Sequence, residues 1–351
     1  MHALCVRPGQ PNSIQLDDVP PPPAADGAVL VRALALGLCG TDREIISGHY
    51  GWAPPGQDRL ILGHESLGRV EEAPAGSGFA AGDLVVGIVR RPDPVPCPAC
   101  AAGEWDMCSN GQYTERGIKE RNGYGSEFWR IEAPFLVKLD PALGRLGVLL
   151  EPASVVAKCW EQVLRIGRRT ASWQPRVALV TGAGPIGLLA AMMARQYGFE
   201  THVFDRNKDG PKPDMVRAIG AVHHSGEVGD LGDLAPDIVI ECTGAVPVVL
   251  DAVNRAAPSG IVCLAGVSAG GRPVAFDAGL FNRNMVLHNG VVFGSVNANL
   301  RHYKAAAAAL AKADREWLAG LINRRVPLAR WREAFDKRDD DIKVVLEFAS
   351  A

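Results

Sequence analysis

The sequence predicts an α/β protein of two domains: a β-rich, irregular one, then a parallel sheet covered by helices on both faces. Three observations carry that prediction. At 351 residues the chain is long for a single hydrophobic core. Its first 135 or so residues combine Gly- and Pro-rich turns with short alternating apolar runs. From about residue 170, short continuous apolar runs alternate with helical stretches.

In the first part, "AVLVRALALGLC", "LGRVEEA" and "DLVVGIV" read as strands, separated by the turn clusters "PPPAADG" and "PAGSGFAAGD". In the second part, "RVALVTG", "ETHVFD", "DIVIECTG" and "GIVCLAG" are apolar along their length, as strands buried on both faces are. The helices "IGLLAAMMARQYG", "PDMVRAIG" and "VPVVLDAVNRAA" lie between most of them. After "NMVLHNGVVFGSV" comes an alanine-rich helix, "LRHYKAAAAALAKA", and "IKVVLEF" closes the chain as a strand. No repeat or low-complexity linker marks the boundary near residue 170, which is drawn from the change of pattern.

A formal charge of −2 and the absence of like-charge blocks give no electrostatic reason to expect nucleic acid or an anionic membrane as partner. Val177 to Ala194 holds 18 residues without a charge, near the lower limit for a membrane span, but Gly182, Gly184, Pro185 and Gly187 interrupt it. It reads better as a strand, a tight turn and a helix. The start, "MHALCVRPGQ", has no apolar signal region, so a cytoplasmic protein is expected. Eight cysteines then read as thiols or metal ligands rather than disulfides, and the clustering of Cys97, Cys100 and Cys108 calls for a cause.

"VALVTGAGPIGLLAAMMA" places Gly182, Gly184 and Gly187 in G-x-G-x-x-G spacing, after a strand and opening a helix. The first glycine permits the tight turn, the second lets the backbone approach a pyrophosphate, and the third lets helix pack on strand. Pro185 suits the first helical turn, where a missing N–H costs nothing. The next strand ends at Asp205, about 20 residues on, where an acid takes ribose hydroxyls and favours NAD. Arg206 and Lys208 follow and are placed to take a 2′-phosphate, so NADP stays open.

"CGTDREIISGHYG" sets Cys39 at a strand end running into a helix, where it is either a buried small hydrophobe or a metal ligand. "ILGHESLGRV" puts His64 beside Glu65, and neighbours on a strand point to opposite faces unless the strand breaks there. Glu151, in the apolar run "LLEPASVV", needs a partner for its charge. Thiolate, imidazole and carboxylate together make a catalytic zinc set with a position open for substrate.

"GLCGTDREI", "ILGHESLGRVEE", "LLEPASVV", "GAGPIGL" and "ECTG" resemble, in order and approximate spacing, the medium-chain zinc-dependent alcohol dehydrogenases over essentially the whole chain. "RRP", "YTERGI", "GSVNANLRHY" and "IKVVLEF" look most like the glucose (aldose) 1-dehydrogenase branch. The resemblance implies a GroES-like catalytic domain, residues 1–170 completed by 298–351, and a Rossmann domain, 171–297. It makes Cys39 and His64 zinc ligands, with Glu65 and Glu151 as carboxylates that ligate or exchange. Thr41 falls where a hydroxyl bonds the substrate oxygen, and Asp42 where an acid orients the ligand histidine. Glu115 and Asn297 match residues that hold sugar hydroxyls or lie beside the nicotinamide. Ile186 and Thr243 fall within the dinucleotide-binding motifs. The alternative for Glu115 is a salt bridge with Arg116 or Arg121. His49 is either a continuation of the proton path or a surface histidine.

The resemblance also implies a second zinc lobe of four cysteines. Cys97, Cys100 and Cys108 fit its last three positions, but Pro94 stands at the first. Either Asp93 supplies an oxygen ligand or the lobe holds no metal. The expected activity is hydride transfer from C1 of an aldose to NAD or NADP, giving the lactone, with zinc lowering the pKa of the hydroxyl. A polyol, secondary-alcohol or cyclitol dehydrogenase is the nearer alternative, and a non-catalytic nucleotide-binding relative the more distant one. The resemblance further implies a homodimer or homotetramer, paired through "MVLHNGVVFGSV" at the edge of the cofactor domain.

Overall fold

The computed structural model describes residues 1–268 and 273–348. The chain forms two compact units, Met1–Ser154 with Asn297–Ala351, and Val155–Val296. The division therefore falls within the helix Leu150–Gly167 and not near residue 170. A helix that continues unbroken carries no turn signal at the boundary. The change of sequence texture appears only where that helix ends.

The first unit is built around the ten-residue strand Val29–Leu38. Residues 29–34 alternate buried with half-buried, and Ala35 to Leu38 are buried throughout. Antiparallel partners flank it: Glu65–Glu72 on one side, and on the other Phe128–Ile131 followed by the C-terminal Val344–Glu347. The return of the chain end is thus literal, with Val344 opposite Leu38 and Glu347 opposite Ala35. Val31, Leu36, Leu62, Val85, Trp129 and Leu346 form part of the core beneath. Each large apolar side chain buried there contributes about 1.5–3 kcal/mol.

Alongside this core lies an ionic cluster. The Arg91 Nη2 of the strand Arg90–Arg91 is 2.9 Å from the Glu132 carboxylate, which also pairs with Arg121. Burial by itself pushes the Glu132 carboxyl up, but the bonds and charges of both arginines outweigh it and hold it at about 2. Because that lies below the ordinary 4.5, the stabilisation is complete above pH 4.5 and is lost as pH falls through about 2. Glu132→Gln should therefore cost about 1–2 kcal/mol at pH 7, after allowance for screening of a partly exposed group. Urea unfolding should show most of that gap gone at pH 3. An equal gap at both values would count against the assignment.

The second unit is a six-stranded, wholly parallel sheet. Its spatial order is Val222–His224, Glu200–Phe204, Val177–Thr181, Ile238–Glu241, Ile261–Leu264, Val291–Gly294. The order reverses between Val177–Thr181 and Ile238–Glu241, the switch point at which such sheets bind ligands beyond their carboxyl ends. Leu179, Phe204, Val239, Ala252 and Val262 share one core cluster. The uncharged stretch from Val177 resolves into a strand to Thr181 and a helix Pro185–Gln196. Among the described residues no helix is long and apolar enough to cross a membrane. Val291–Gly294 is the outer strand, and of "MVLHNGVVFGSV" the first part, through His288, ends a helix.

Candidate active site

Cys39 ends the long strand and caps the helix Gly40–Ile46, its sulfur accepting the Thr41 N–H at 3.3 Å. Asp42, on the first turn of that helix and fully buried, accepts the Cys39 N–H at 2.9 Å through Oδ2. This reciprocal cap fixes where the thiol points. His64 lies between the strands Leu60–Ile61 and Glu65–Glu72, after Gly63 at φ +96°. The strand does break at the histidine, so His64 and Glu65 escape the opposite-face rule. A β-carbon at Gly63 would sit 2.6 Å from the Leu36 side chain, so the break depends on glycine.

The result is convergence. Cys39 Sγ and His64 Nε2 are 3.0 Å apart, and ligand atoms of Cys39, His64 and Glu65 all lie within 4.8 Å of one another. The other ring nitrogen, Nδ1, is 3.4 Å from Asp42 Oδ1, close enough for that carboxylate to orient the imidazole. Burial works against an imidazolium here, yet the neighbouring Cys39 and Asp42 outweigh it and raise His64 well above its usual range. A sulfur and a carboxylate converge on one imidazole here, and a thiolate–imidazole–carboxylate donor set suits zinc.

Glu151 begins the helix Leu150–Gly167, outside that three-residue group but within the field of its members. Burial pushes its carboxyl up to about 7, with His64 and Lys343 opposing and Glu65 and Asp42 adding to the rise. Thr41 is half-buried beside the Cys39 sulfur, while His49 is exposed and bonded to Ser47 at 3.0 Å. Sequence reasoning missed Lys343. Its ammonium is buried, pairs with Glu65 and donates to the Leu38 carbonyl at 3.0 Å. A lone lysine in "IKVVLEF" carried the same signal as Glu151 in its apolar run, namely a charge in need of a partner. Gly37 makes room for this pair, since a β-carbon there would fall 2.1 Å from Glu65 Oε2.

Glu115 is buried and pairs with neither Arg116 nor Arg121. Its Oε1 accepts from Arg90 Nε at 3.0 Å and from Asn297 Nδ2 at 2.8 Å. Arg116 goes to backbone carbonyls of Asp26, Asn122 and Arg130. Asn297 sits at φ +61°, a left-handed conformation that asparagine tolerates better than most residues. Arg90 was missed because strand register, which sets it opposite Glu115, is invisible in sequence.

In the second unit, Gly182 turns at φ +91° and a β-carbon at Gly187 would lie 1.7 Å from the Gly182 carbonyl oxygen. A β-carbon at Gly184 would meet nothing within 4 Å, so the space before the Pro185 helix is open to a phosphate. Pro185 and Ile186 start that helix half-buried, and Thr243 is exposed after the neighbouring strand. Asp205 is drawn toward the same turn, its Oδ2 accepting from Ala183 N–H at 2.8 Å and Oδ1 from Asn207 N–H at 2.9 Å. Arg206 and Lys208 are exposed.

Comparison with known proteins gives the family of the chain. Residues 25–141 match the alcohol dehydrogenase GroES-like domain and residues 144–348 the glucose dehydrogenase C-terminus. The chain belongs to the glucose dehydrogenase family. Its relatives include glucose 1-dehydrogenases of Methanocella arvoryzae, 38% identical with both chains fully covered, and Thermoproteus tenax, 41% identical with 99% of each covered. The glucose dehydrogenase of Haloferax mediterranei, solved with NADP, Zn and gluconolactone, superimposes with a TM-score of 0.92, 33% identity and full coverage of both chains. The fold is accordingly a GroES-like domain with a parallel-sheet Rossmann domain.

This family member also brings Cys97, Cys100 and Cys108 into one cluster, with Cys97 and Cys108 sulfurs 3.9 Å apart. Backbone N–H groups of Ser109 and Cys100 draw the Cys97 thiol down to about 6, and burial pushes Cys100 up to about 11. The Asp93 carboxylate is not in that group. It accepts from Val95 N–H at 2.8 Å and from the Asn110 amide, whose Oδ1 lies 3.1 Å from Cys108 Sγ.

Proposed function

We propose that this chain is a cytoplasmic, zinc-dependent aldose 1-dehydrogenase that moves hydride from C1 of a sugar such as glucose to NAD or NADP and releases the lactone. The convergence of Cys39, His64 and Glu65 within 4.8 Å is the observation that carries the reading. Likeness to the Haloferax enzyme, solved with Zn, NADP and gluconolactone, supports it.

In this reading Cys39, His64 and Glu65 hold the metal, with Glu151 a carboxylate in reserve nearby. Zinc in that position supplies a Lewis acid that lowers the pKa of the reacting hydroxyl. A bound dinucleotide would supply the hydride acceptor, and the protein would orient it and the sugar. Asp42 Oδ1, 3.4 Å from His64 Nδ1, favours the ring orientation in which Nε2 would be left for a cation. Thr41, tied to the Cys39 sulfur through its N–H, carries the hydroxyl that takes the substrate proton outward. Glu115 and Asn297 hold sugar hydroxyls. The glycine turn receives the pyrophosphate, and Asp205 favours NAD while Arg206 and Lys208 admit NADP. Three thiols at Cys97, Cys100 and Cys108, with a fourth ligand from solvent or from Asp93 after it leaves Asn110, form a second zinc lobe. The outer strand Val291–Gly294, beside exposed Val286, Leu287 and Val296, is the surface that pairs subunits, and a monomeric mass in solution would remove that part.

The test is a panel of aldoses, polyols and secondary alcohols with each cofactor. Aldose oxidation with zinc-dependent lactone release is expected, and Glu115→Gln should raise KM for the sugar at least ~10-fold, as loss of a buried hydroxyl partner does. Turnover of polyols with no aldose activity would overturn the substrate assignment.

A further inference from the structure

Arg90 and Glu115 stand directly opposite each other on antiparallel strands, each about 5% exposed. A guanidinium facing a carboxylate usually forks, one nitrogen to each oxygen. Here both contacts converge: Nε and Nη2 each reach Oε1 at 3.0 Å, and Asn297 Nδ2 makes a third donor to the same oxygen at 2.8 Å. The guanidinium is fixed from behind, stacked 3.7 Å over the Tyr113 ring, with Nη1 donating to the Asp106 carbonyl at 3.3 Å. Glu115 Oε2 takes no partner among the described residues, and it is not among the polar atoms sealed from solvent. One oxygen is saturated and the other is held open at a defined angle.

We propose that Arg90 is a positioning residue that sets substrate charge: it pins Glu115 through one oxygen, leaves the other to accept a hydroxyl, and cancels the carboxylate's charge so that neutral aldoses are preferred over cationic amino sugars. This rests on the reading above that Glu115 faces the sugar. The physical reason is the low dielectric. An uncompensated buried carboxylate attracts an ammonium strongly, whereas an ion pair presents little net field to the ligand. Selection by charge therefore belongs to the arginine, while Glu115 supplies the acceptor.

The experiment compares kcat and KM for glucose with those for 2-amino-2-deoxyglucose and 3-amino-3-deoxyglucose at pH 6.5, where the amines are protonated. Arg90→Met should raise KM for glucose with little change in kcat, and should raise the amino-to-neutral ratio of kcat/KM at least ~10-fold for one of the two amino sugars. Arg90→Lys, which keeps the charge but not the two convergent contacts, should leave that ratio near its starting value. A double Arg90→Gln, Glu115→Gln variant, which is neutral throughout, should also restore it and serves if Arg90→Met fails to fold. Unchanged ratios in Arg90→Met, or in the double variant a ratio shifted toward amino sugars, would overturn the inference. Glu115→Gln separates the two readings. If it leaves KM for glucose untouched, Glu115 does not meet the sugar and the underlying reading fails. If it raises KM while Arg90→Met leaves the ratio alone, only the role of Arg90 falls.

Discussion

Cys39→Ala should abolish turnover, by ~10³-fold or more, together with the zinc at the active site, since a Lewis acid contributes several kcal/mol to charge stabilisation. The variant should still fold. What the sulfur does for the backbone is to accept one N–H at the helix start, a cap worth about 1 kcal/mol, and the Asp42 bond to the Cys39 N–H remains. Binding of NAD(P) by the second unit should survive nearly unchanged, because the glycine turn and Asp205 are formed within that unit. Metal analysis, cofactor fluorescence titration and steady-state kinetics on one preparation give all three readouts. Full activity, or an undiminished zinc content, would remove Cys39 from the metal site.

Gly187→Ala should produce the complementary defect. The added carbon would be placed 1.7 Å from the Gly182 carbonyl oxygen, a backbone atom that cannot swing aside. Either the Pro185–Gln196 helix lifts from the sheet or the turn opens, and both displace the N–H groups proposed to meet the pyrophosphate. A fall of about 1–3 kcal/mol in stability of the cofactor unit is expected, as for other overpacked sites. Cofactor affinity should drop at least ~100-fold while the zinc at Cys39 and His64 is retained. Titration of NADH and NADPH against metal content checks this, and wild-type affinity would refute the role given to the third glycine.

These two variants also show what kind of information each level holds. Local chemistry was readable. The glycine spacing, the proline opening the helix and Asp205 at the next strand end all concern neighbours along the chain, and the structure places them around one turn. Asp42 was placed as the orienting acid by resemblance, and its carboxylate is found 3.4 Å from His64. The domain boundary was less legible, because the helix Leu150–Gly167 runs through it. Asp93 shows a second limit. Its position suited a ligand, but the nearby Val95 N–H and Asn110 amide take the carboxylate in the structure.

By itself, then, the order of residues determined the two-domain α/β architecture, the glycine turn and a candidate set of metal ligands, because strand and helix periods and short motifs are properties of contiguous residues. Only tertiary structure decided which charges meet. Lys343 reaches Glu65 because the last strand returns beside residues 35–38, and Arg90 takes Glu115 because an antiparallel register sets them opposite. Partners so far apart in sequence are chosen by strand register and by the cost of burying an unpaired charge, and neither quantity is written in any local window.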